Sequence, residues 1–250
     1  MFPKEGSMDN AHEQEDRLHR TRILVGDDGI DRLCQARVAV IGLGGVGGYA
    51  VEALARAGIG TLLLVDSDKV EPTNLNRQLL ALTATIGHYK TKAAKERVAS
   101  IHAGTEVITR CICLDESNID DLGLTREWHV IDAIDDLSAK AALLRYLYDH
   151  QISCVASMGA GQRLDPLRIK VADISRSHGC PLARRLRQRL RALGIVKGIP
   201  CVFSDEVPLR GAAADAPTRD QPIGTISYLP ALFGMMAAAT IINTILHGDT

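Results

Sequence analysis

The sequence predicts an α/β fold: a doubly wound, mostly parallel sheet with a C-terminal extension and a closing helix. Three observations carry that prediction. The apolar run Val38-Ala39-Val40-Ile41 leads directly into Gly42-Leu43-Gly44-Gly45-Val46-Gly47, and a second apolar run, Thr61 to Val65, ends in Asp66. Short apolar runs then go on alternating with helix-period stretches as far as Ser157. A glycine-rich turn between a buried strand and a helix, with an acid closing the next strand, is a Rossmann-like βαβ arrangement.

The first sixteen residues are polar and acidic and read as a flexible tail; ordered structure starts near Arg17, and 17–250 read as a single domain. Val38 to Ile41 is apolar without interruption, as a strand buried on both faces requires. Tyr49 to Ala57 reads as a helix that stops at Gly58, where a left-handed cap residue is wanted. Thr91 to Ala103 is then helical, Val107 to Cys111 and Trp128 to Ile134 are extended, Leu137 to His150 is helical, and Ile152 to Ser157 is extended. Ligands of such sheets bind at the strands' carboxyl ends. Leu167 to Ala172 reads as a further strand. The stretch 181–193 reads as a basic helix with Leu182, Leu186, Leu190 and Leu193 on one face. Gly211 to Pro222, rich in Ala, Asp and Pro, reads as a mobile loop. Ile223 to Leu246 carries no charged side chain and approaches the length of a membrane span. Pro230, Asn243 and the lack of basic flanks favour a buried helix closing the sheet, without membrane insertion.

Composition narrows the classes of function. The net charge of −1 exerts no global pull on nucleic acid, so any RNA contact must come from a local patch, and 4% aromatic residues argue against a base-stacking platform. None of the six cysteines has the Cys-x-x-Cys spacing of a structural zinc site. Free cysteines and an N-terminus without an apolar core suggest a reducing, cytoplasmic setting.

Gly42, Gly44, Gly45 and Gly47 would let backbone N–H groups approach a phosphate at a helix N-terminus, and Asp66 is placed to accept hydrogen bonds from a ribose. That much specifies only a nucleotide, for which NAD is the usual guest; a tight turn with no ligand is the alternative. The segment after Asp66 departs from a dehydrogenase. The pattern Asp66-x-Asp68-x-Val70-x-x-x-Asn74-x-x-Arg77-Gln78 resembles the superfamily of ubiquitin-activating enzymes and the adenylyltransferases of molybdopterin and thiamine synthesis. Gly87-His88-Tyr89-Lys90 is similar to that family's segment carrying a lysine toward the ATP phosphates, and Asp132-Ala133-Ile134-Asp135 to the strand end carrying a magnesium-associated aspartate. The resemblance implies ATP and Mg2+, with Asp66, Asp68 and Asn74 at the nucleotide and Arg77, Lys90 and a metal held by Asp135 countering charge at the α-phosphorus. Read singly, Arg77 fits a surface salt bridge, Lys90 a solvated helical face with Lys92 and Lys95, and the Asp135-Asp136 pair a helix cap. Arg17-Leu18-His19-Arg20 resembles the family's Arg-x-x-Arg, which implies a homodimer with Arg20 in the partner's ATP site; a basic surface segment is the alternative.

The branch of the family is indicated by the second half. Gly159-Ala160-Gly161-Gln162-Arg163-Leu164-Asp165-Pro166, Pro181-Leu182-Ala183 and Cys201-Val202-Phe203-Ser204-Asp205-Glu206 resemble the tRNA threonylcarbamoyladenosine dehydratases. That likeness implies adenylation of the free carboxylate of N6-threonylcarbamoyladenosine at position 37 of tRNA, followed by ring closure with loss of AMP, a net dehydration. It leaves Cys201 as either a thioester-forming nucleophile or a buried small apolar residue. It also makes the basic stretch containing Arg184, Arg185, Arg187 and Arg191 a tRNA contact, against an ordinary solvated face. Two other readings stay open: an adenylyltransferase activating the C-terminus of a small sulfur-carrier protein, with a sulfur-transfer partner, and an NAD-dependent oxidoreductase or nucleotide-binding module.

Overall fold

The computed structural model describes residues 17–209 and 223–248. The expected tail at 1–16 and the expected loop at 211–222 lie outside the described residues.

Seven strands form one sheet: β1 (Arg37–Ile41), β2 (Thr61–Val65), β3 (Glu106–Arg110), β4 (Trp128–Asp132), β5 (Ser153–Ser157), β6 (Ile169–Asp173) and β7 (Pro200–Ser204). Their order is β3-β2-β1-β4-β5-β7-β6. The pairs β1–β2, β2–β3, β1–β4, β4–β5 and β5–β7 are parallel, and only β6 runs antiparallel, against β7. Helices α1 (His19–Gln35), α2 (Gly47–Ala57), α3 (Lys90–Ile101), α4 (Leu137–Asp149), α5 (Pro181–Ala192) and α6 (Tyr228–His247) cover both faces.

The continuous apolar runs are explained by this layering. Ala39, Ile41, Leu63, Val65 and Val130 pack with Leu143, Leu144, Leu186 and Leu190 on one face. Val38, Val40, Leu62, Leu64 and Ile131 pack with Val51, Leu54, Phe233 and Ile241 on the other. Each fully buried leucine stabilises the fold by roughly 1.5–3 kcal/mol relative to exposure, so a polar residue on either face of β1 or β2 would be costly. Glu52 of α2 is buried and accepts hydrogen bonds from Arg97 of α3 and Arg56, each at 2.8 Å from its Nε, which fastens the two helices together.

The expected closing helix exists, starting at Tyr228 rather than Ile223. Its small residues allow α6 to approach α2 closely: a Cβ at Gly234 would lie 2.2 Å from the Val46 carbonyl oxygen. Among the described residues α6 is the one helix long and apolar enough to cross a membrane by length and composition. One of its faces (Leu229, Phe233, Ala237, Ala238, Ile241) is nevertheless buried against the domain, while Leu232, Met235 and Met236 remain exposed on the other. Helix α1 kinks at Gly26 (φ 74°), which a Cβ-bearing residue would strain.

Candidate adenylation site

Strand order reverses at β1, which pairs with β2 on one side and β4 on the other. The chain thus leaves β1 and β4 in opposite directions, and a crevice opens at their carboxyl ends. The glycine loop lies there. Gly42 has φ 92°, and a Cβ on it would sit 2.7 Å from the Ala133 carbonyl oxygen; one on Gly47 would sit 1.8 Å from the Gly42 carbonyl oxygen. Both positions therefore exclude any side chain, which keeps the loop flat above the strands.

Asp66 fastens this loop to β2: its Oδ2 accepts from the Leu43 N–H at 2.6 Å and its Oδ1 from the Asp68 N–H at 2.7 Å. Burial pushes the Asp66 carboxyl above the ordinary value, and the nearby Lys90 charge opposes that rise. Each carboxylate oxygen has a further lone pair for a ribose hydroxyl. The segment after it pairs with the segment leading into α3, through a bridge between Lys69 and Tyr89 and a hydrogen bond from the Lys90 N–H to the Asp68 carbonyl at 2.9 Å. Lys90 is 6% exposed, with its Nζ 2.7 Å from Asp68 Oδ2. It therefore does not lie on a solvated face.

Asn74 is buried and its Oδ1 accepts from the Glu71 N–H at 3.1 Å, shaping the single 3-10 turn Pro72–Asn74. The Arg77 and Gln78 N–H groups both donate to the Asn74 carbonyl, at 3.1 and 2.9 Å. Asn74 thus organises the turn that presents Arg77, whose backbone carbonyl lies 3.5 Å from where a Gly45 Cβ would be. The Arg77 guanidinium donates to the Thr73 carbonyl and to Asn76 Oδ1, both at 2.9 Å, and pairs with no carboxylate among the described residues. Gln78, which the sequence marks only as a motif position, is a further candidate. It is buried, its Oε1 has no hydrogen-bond partner, and its Nε2 lies 3.9 Å from the Gly44 Cβ position.

On the β4 side, Asp136 rather than Asp135 is the helix cap: its Oδ1 accepts from the Ser138 and Ala139 N–H groups at 2.8 Å. Asp135 is exposed two residues beyond Ala133, with neither hydrogen bond nor ion pair to its side chain among the described residues. No group of three or more His, Cys, Asp or Glu able to hold a metal occurs among the described residues. A single free carboxylate still fits Mg2+, which commonly takes one or two protein carboxylates and completes its shell with phosphates and water.

A model of the ThiF family matches residues 18–250. The chain belongs to the ThiF family. It is similar to the tRNA threonylcarbamoyladenosine dehydratase of Bacillus subtilis, 42% identical over 77% of this chain and 76% of that protein. The corresponding Escherichia coli protein is 35% identical over 89% of this chain and 91% of its own length. Among solved structures, the ATP complex of the Escherichia coli tRNA N6-threonylcarbamoyladenosine dehydratase superposes with a TM-score of 0.85 at 32% identity, covering 93% of this chain and 94% of that one.

Within this ThiF-family fold, Arg20 is exposed in the first turn of α1. The preceding residues pack at the far end of α2, where Arg17 donates to the Ala55 carbonyl at 3.1 Å and Leu18 meets Gly58. The 11 residues of α2 separate them from the glycine loop by about 16 Å.

The surroundings of Cys201 and Arg187 bear on the two roles the sequence leaves open for each. Cys201 is 0% exposed inside β7, between Ala156 of β5 and Ala172 of β6, and burial pushes its thiol up to about 12. Enclosure in the sheet favours the packing role of Cys201 over the nucleophilic one. Arg187 is half-buried and donates from Nη1 to both the carbonyl and the Oγ of Ser177 at 2.6 Å, so it leaves the set of free surface cations. Arg184, Arg185 and Arg191 are exposed. Helix α5 starts beside Gly159, just past the carboxyl end of β5, so Arg184 and Arg185 stand on the crevice side of the sheet and Arg191 farther back.

The neighbouring loops are gathered by Arg163, which is 3% exposed. It donates to the carbonyls of Gly159 (2.6 Å), Gly161 (3.2 Å), Gly179 (3.1 Å) and Glu206 (3.2 Å). The Glu206 carboxylate in turn accepts from the Leu164 and Asp165 N–H groups. In the sequence Arg163 stands only inside a motif; a lone arginine among glycines gives no sign that it will bond four carbonyls.

Proposed function

We propose that this chain dehydrates N6-threonylcarbamoyladenosine at position 37 of tRNA, using ATP. The observations that support the reading surround one glycine loop: the Arg77 carbonyl approaches Gly45, Lys90 pairs with Asp68 beside the loop-holding Asp66, and the turn that precedes Asp135 packs on Gly42, in a fold shared over 93% of the chain with an ATP-complexed tRNA dehydratase. The substrate carboxylate oxygen attacks the α-phosphorus of ATP, the Pα–O bond to the β-phosphate breaks, and pyrophosphate leaves with the electron pair. Arg77 and Lys90 offset the negative charge that accumulates on the phosphate oxygens. Mg2+ held by Asp135 would add further neutralisation there. The carbamoyl group of the same modification then attacks the activated carbonyl carbon, AMP departs and the displaced proton passes to solvent. Ring closure is intramolecular and gains from high effective molarity, so no protein nucleophile is required.

The functional unit in this reading is a homodimer. Arg20 follows Arg17 and Leu18, which pack at the end of α2 away from the glycine loop, and this suits a role in a partner's site. Exposed apolar side chains on α1 (Ile23, Leu24) and α6 (Leu232, Met235, Met236) offer surfaces for such pairing. tRNA would approach over Arg184 and Arg185, and the setting is cytoplasmic.

A second reading is favoured by one observation. The molybdopterin-synthase adenylyltransferase of Salmonella typhimurium is 34% identical over 60% of this chain and 59% of its own length, so much of the domain is shared with an adenylyltransferase of a different name. ATP–pyrophosphate exchange separates the two. Stimulation by tRNA bearing threonylcarbamoyladenosine, with nucleosides lighter by one water, supports the dehydratase; stimulation by a Gly-Gly-ending carrier alone supports the second. Preference for NAD over ATP in calorimetry would exclude both.

A further inference from the structure

We propose that Lys140 is a positioning residue of the adenylation site: by bonding the carbonyl groups of Asp132 and Ile134 it sets the direction in which Asp135 leaves β4. The inference rests on the adenylation reading above. Lys140 and Asp132 are both 0% exposed, and Lys140 stands on α4 among Ala139, Ala141, Leu143 and Leu144. Packing does not call for an ion pair there, because a pair of apolar residues of similar volume usually serves stability as well or better. What the pair does hold is a turn. The Lys140 ammonium donates to the Ile134 carbonyl at 2.9 Å and more weakly to the Asp132 carbonyl at 3.4 Å, and it lies 2.8 Å from Asp132 Oδ2. Asp132 Oδ1 accepts from the Ile134 N–H at 3.1 Å. Ala133, between them, donates its N–H to the Ile41 carbonyl at 2.8 Å, and its own carbonyl faces Gly42.

The turn is therefore wedged between the glycine loop on one side and Lys140 on the other. Asp135 comes next, and its side chain has no partner among the described residues. Only its backbone tells that carboxylate where to point, and Lys140 anchors the residue immediately before it.

Two variants separate positioning from stability. Asp132→Asn keeps the lysine amine, its carbonyl bonds and the acceptor for the Ile134 N–H. Its melting temperature should fall while kcat for pyrophosphate exchange at saturating ATP stays within about threefold. Asp132→Asn combined with Lys140→Met removes both buried charges. Its melting temperature should recover to within a few degrees, yet kcat should stay down about 100-fold, with ATP affinity by calorimetry changed less than about threefold. Hydrogen exchange of the peptide covering 133–136 should accelerate in the double variant and not in Asp132→Asn. If the double variant does not fold, Asp132→Asn decides alone: loss of kcat in step with its melting temperature overturns the proposal. A double variant with wild-type kcat or unchanged exchange at 133–136 overturns it as well. If the unmodified protein shows no exchange with modified tRNA, it is the adenylation reading that falls; the hydrogen-exchange comparison still tests the anchoring of the turn.

Discussion

Replacing Arg163 with alanine should separate the substrate side of the molecule from its nucleotide side. Four carbonyls from three loops converge on this one buried guanidinium, at 2.6, 3.1, 3.2 and 3.2 Å. Hydrogen bonds to a charged group contribute about 1.5–3 kcal/mol each, but bonds sharing one centre do not add, and three of these four are long. The expected loss is about 3–5 kcal/mol, comparable to breaking a buried polar network. For a chain of this size that lowers the melting temperature by about 10 °C. Arg163→Lys should recover less than half, since an ammonium lacks the planar fork that reaches carbonyls on several sides. Urea denaturation followed by circular dichroism measures the stability. Calorimetry with ATP and filter binding with tRNA, both near room temperature, measure the two sides. ATP affinity should change less than about threefold while tRNA affinity falls at least tenfold. A stability loss under about 1 kcal/mol, or equal losses of the two affinities, would refute the reasoning.

Gly47→Ala should abolish ATP binding in calorimetry, because its Cβ would lie 1.8 Å from the Gly42 carbonyl oxygen and the loop must move to admit it. Cys201→Ala should leave dehydration within about threefold of the unmodified enzyme at a cost of about 1 kcal/mol in stability; loss of turnover with intact pyrophosphate exchange would restore a thioester role. Reversing Arg184 and Arg185 to Glu should weaken tRNA binding and flatten its dependence on salt, assayed by filter binding across salt concentrations. The Arg97 hydrogen bonds hold the Glu52 carboxyl below its ordinary value against the opposing effect of burial. Its contribution is thus complete above the unfolded carboxylate value near 4.3 and disappears as pH falls through the lowered native value. Glu52→Gln should flatten the decline of melting temperature on acidification below about pH 4. The change at neutral pH should be only about 1–2 kcal/mol, because Arg97 and Arg56 are themselves 43% and 60% exposed.

The central sheet is legible in the sequence because its strands are buried on both faces: the run from Thr61 to Val65 matches β2 residue for residue, bounded by Gly60 and Asp66. Helix α1 is not. Its sequence is polar on most sides and interrupted by Gly26, so it shows little apolar stripe, and Ile30 and Leu33 alone bury large side chains. The antiparallel run of β6 is hidden because a strand's neighbours are set by tertiary packing rather than by its own alternation. Arg187 looks free in the sequence because its partner, Ser177, lies before the helix begins. Lys140 is inconspicuous for a related reason, since a lysine in an amphipathic stretch reads as surface and its acceptors belong to another element.

The close contact between Gly234 and Val46 ties the nucleotide loop to a helix made much later. Between the start of α2 at Gly47 and the start of α6 at Tyr228 lie roughly 180 residues. At ribosomal speeds of about 5–20 residues per second, the loop emerges roughly 9–36 seconds before the helix that covers it. During that interval Val46, Tyr49 and Ala50 lack their partner Gly234, and the glycine loop acquires its final backing only when the last helix docks.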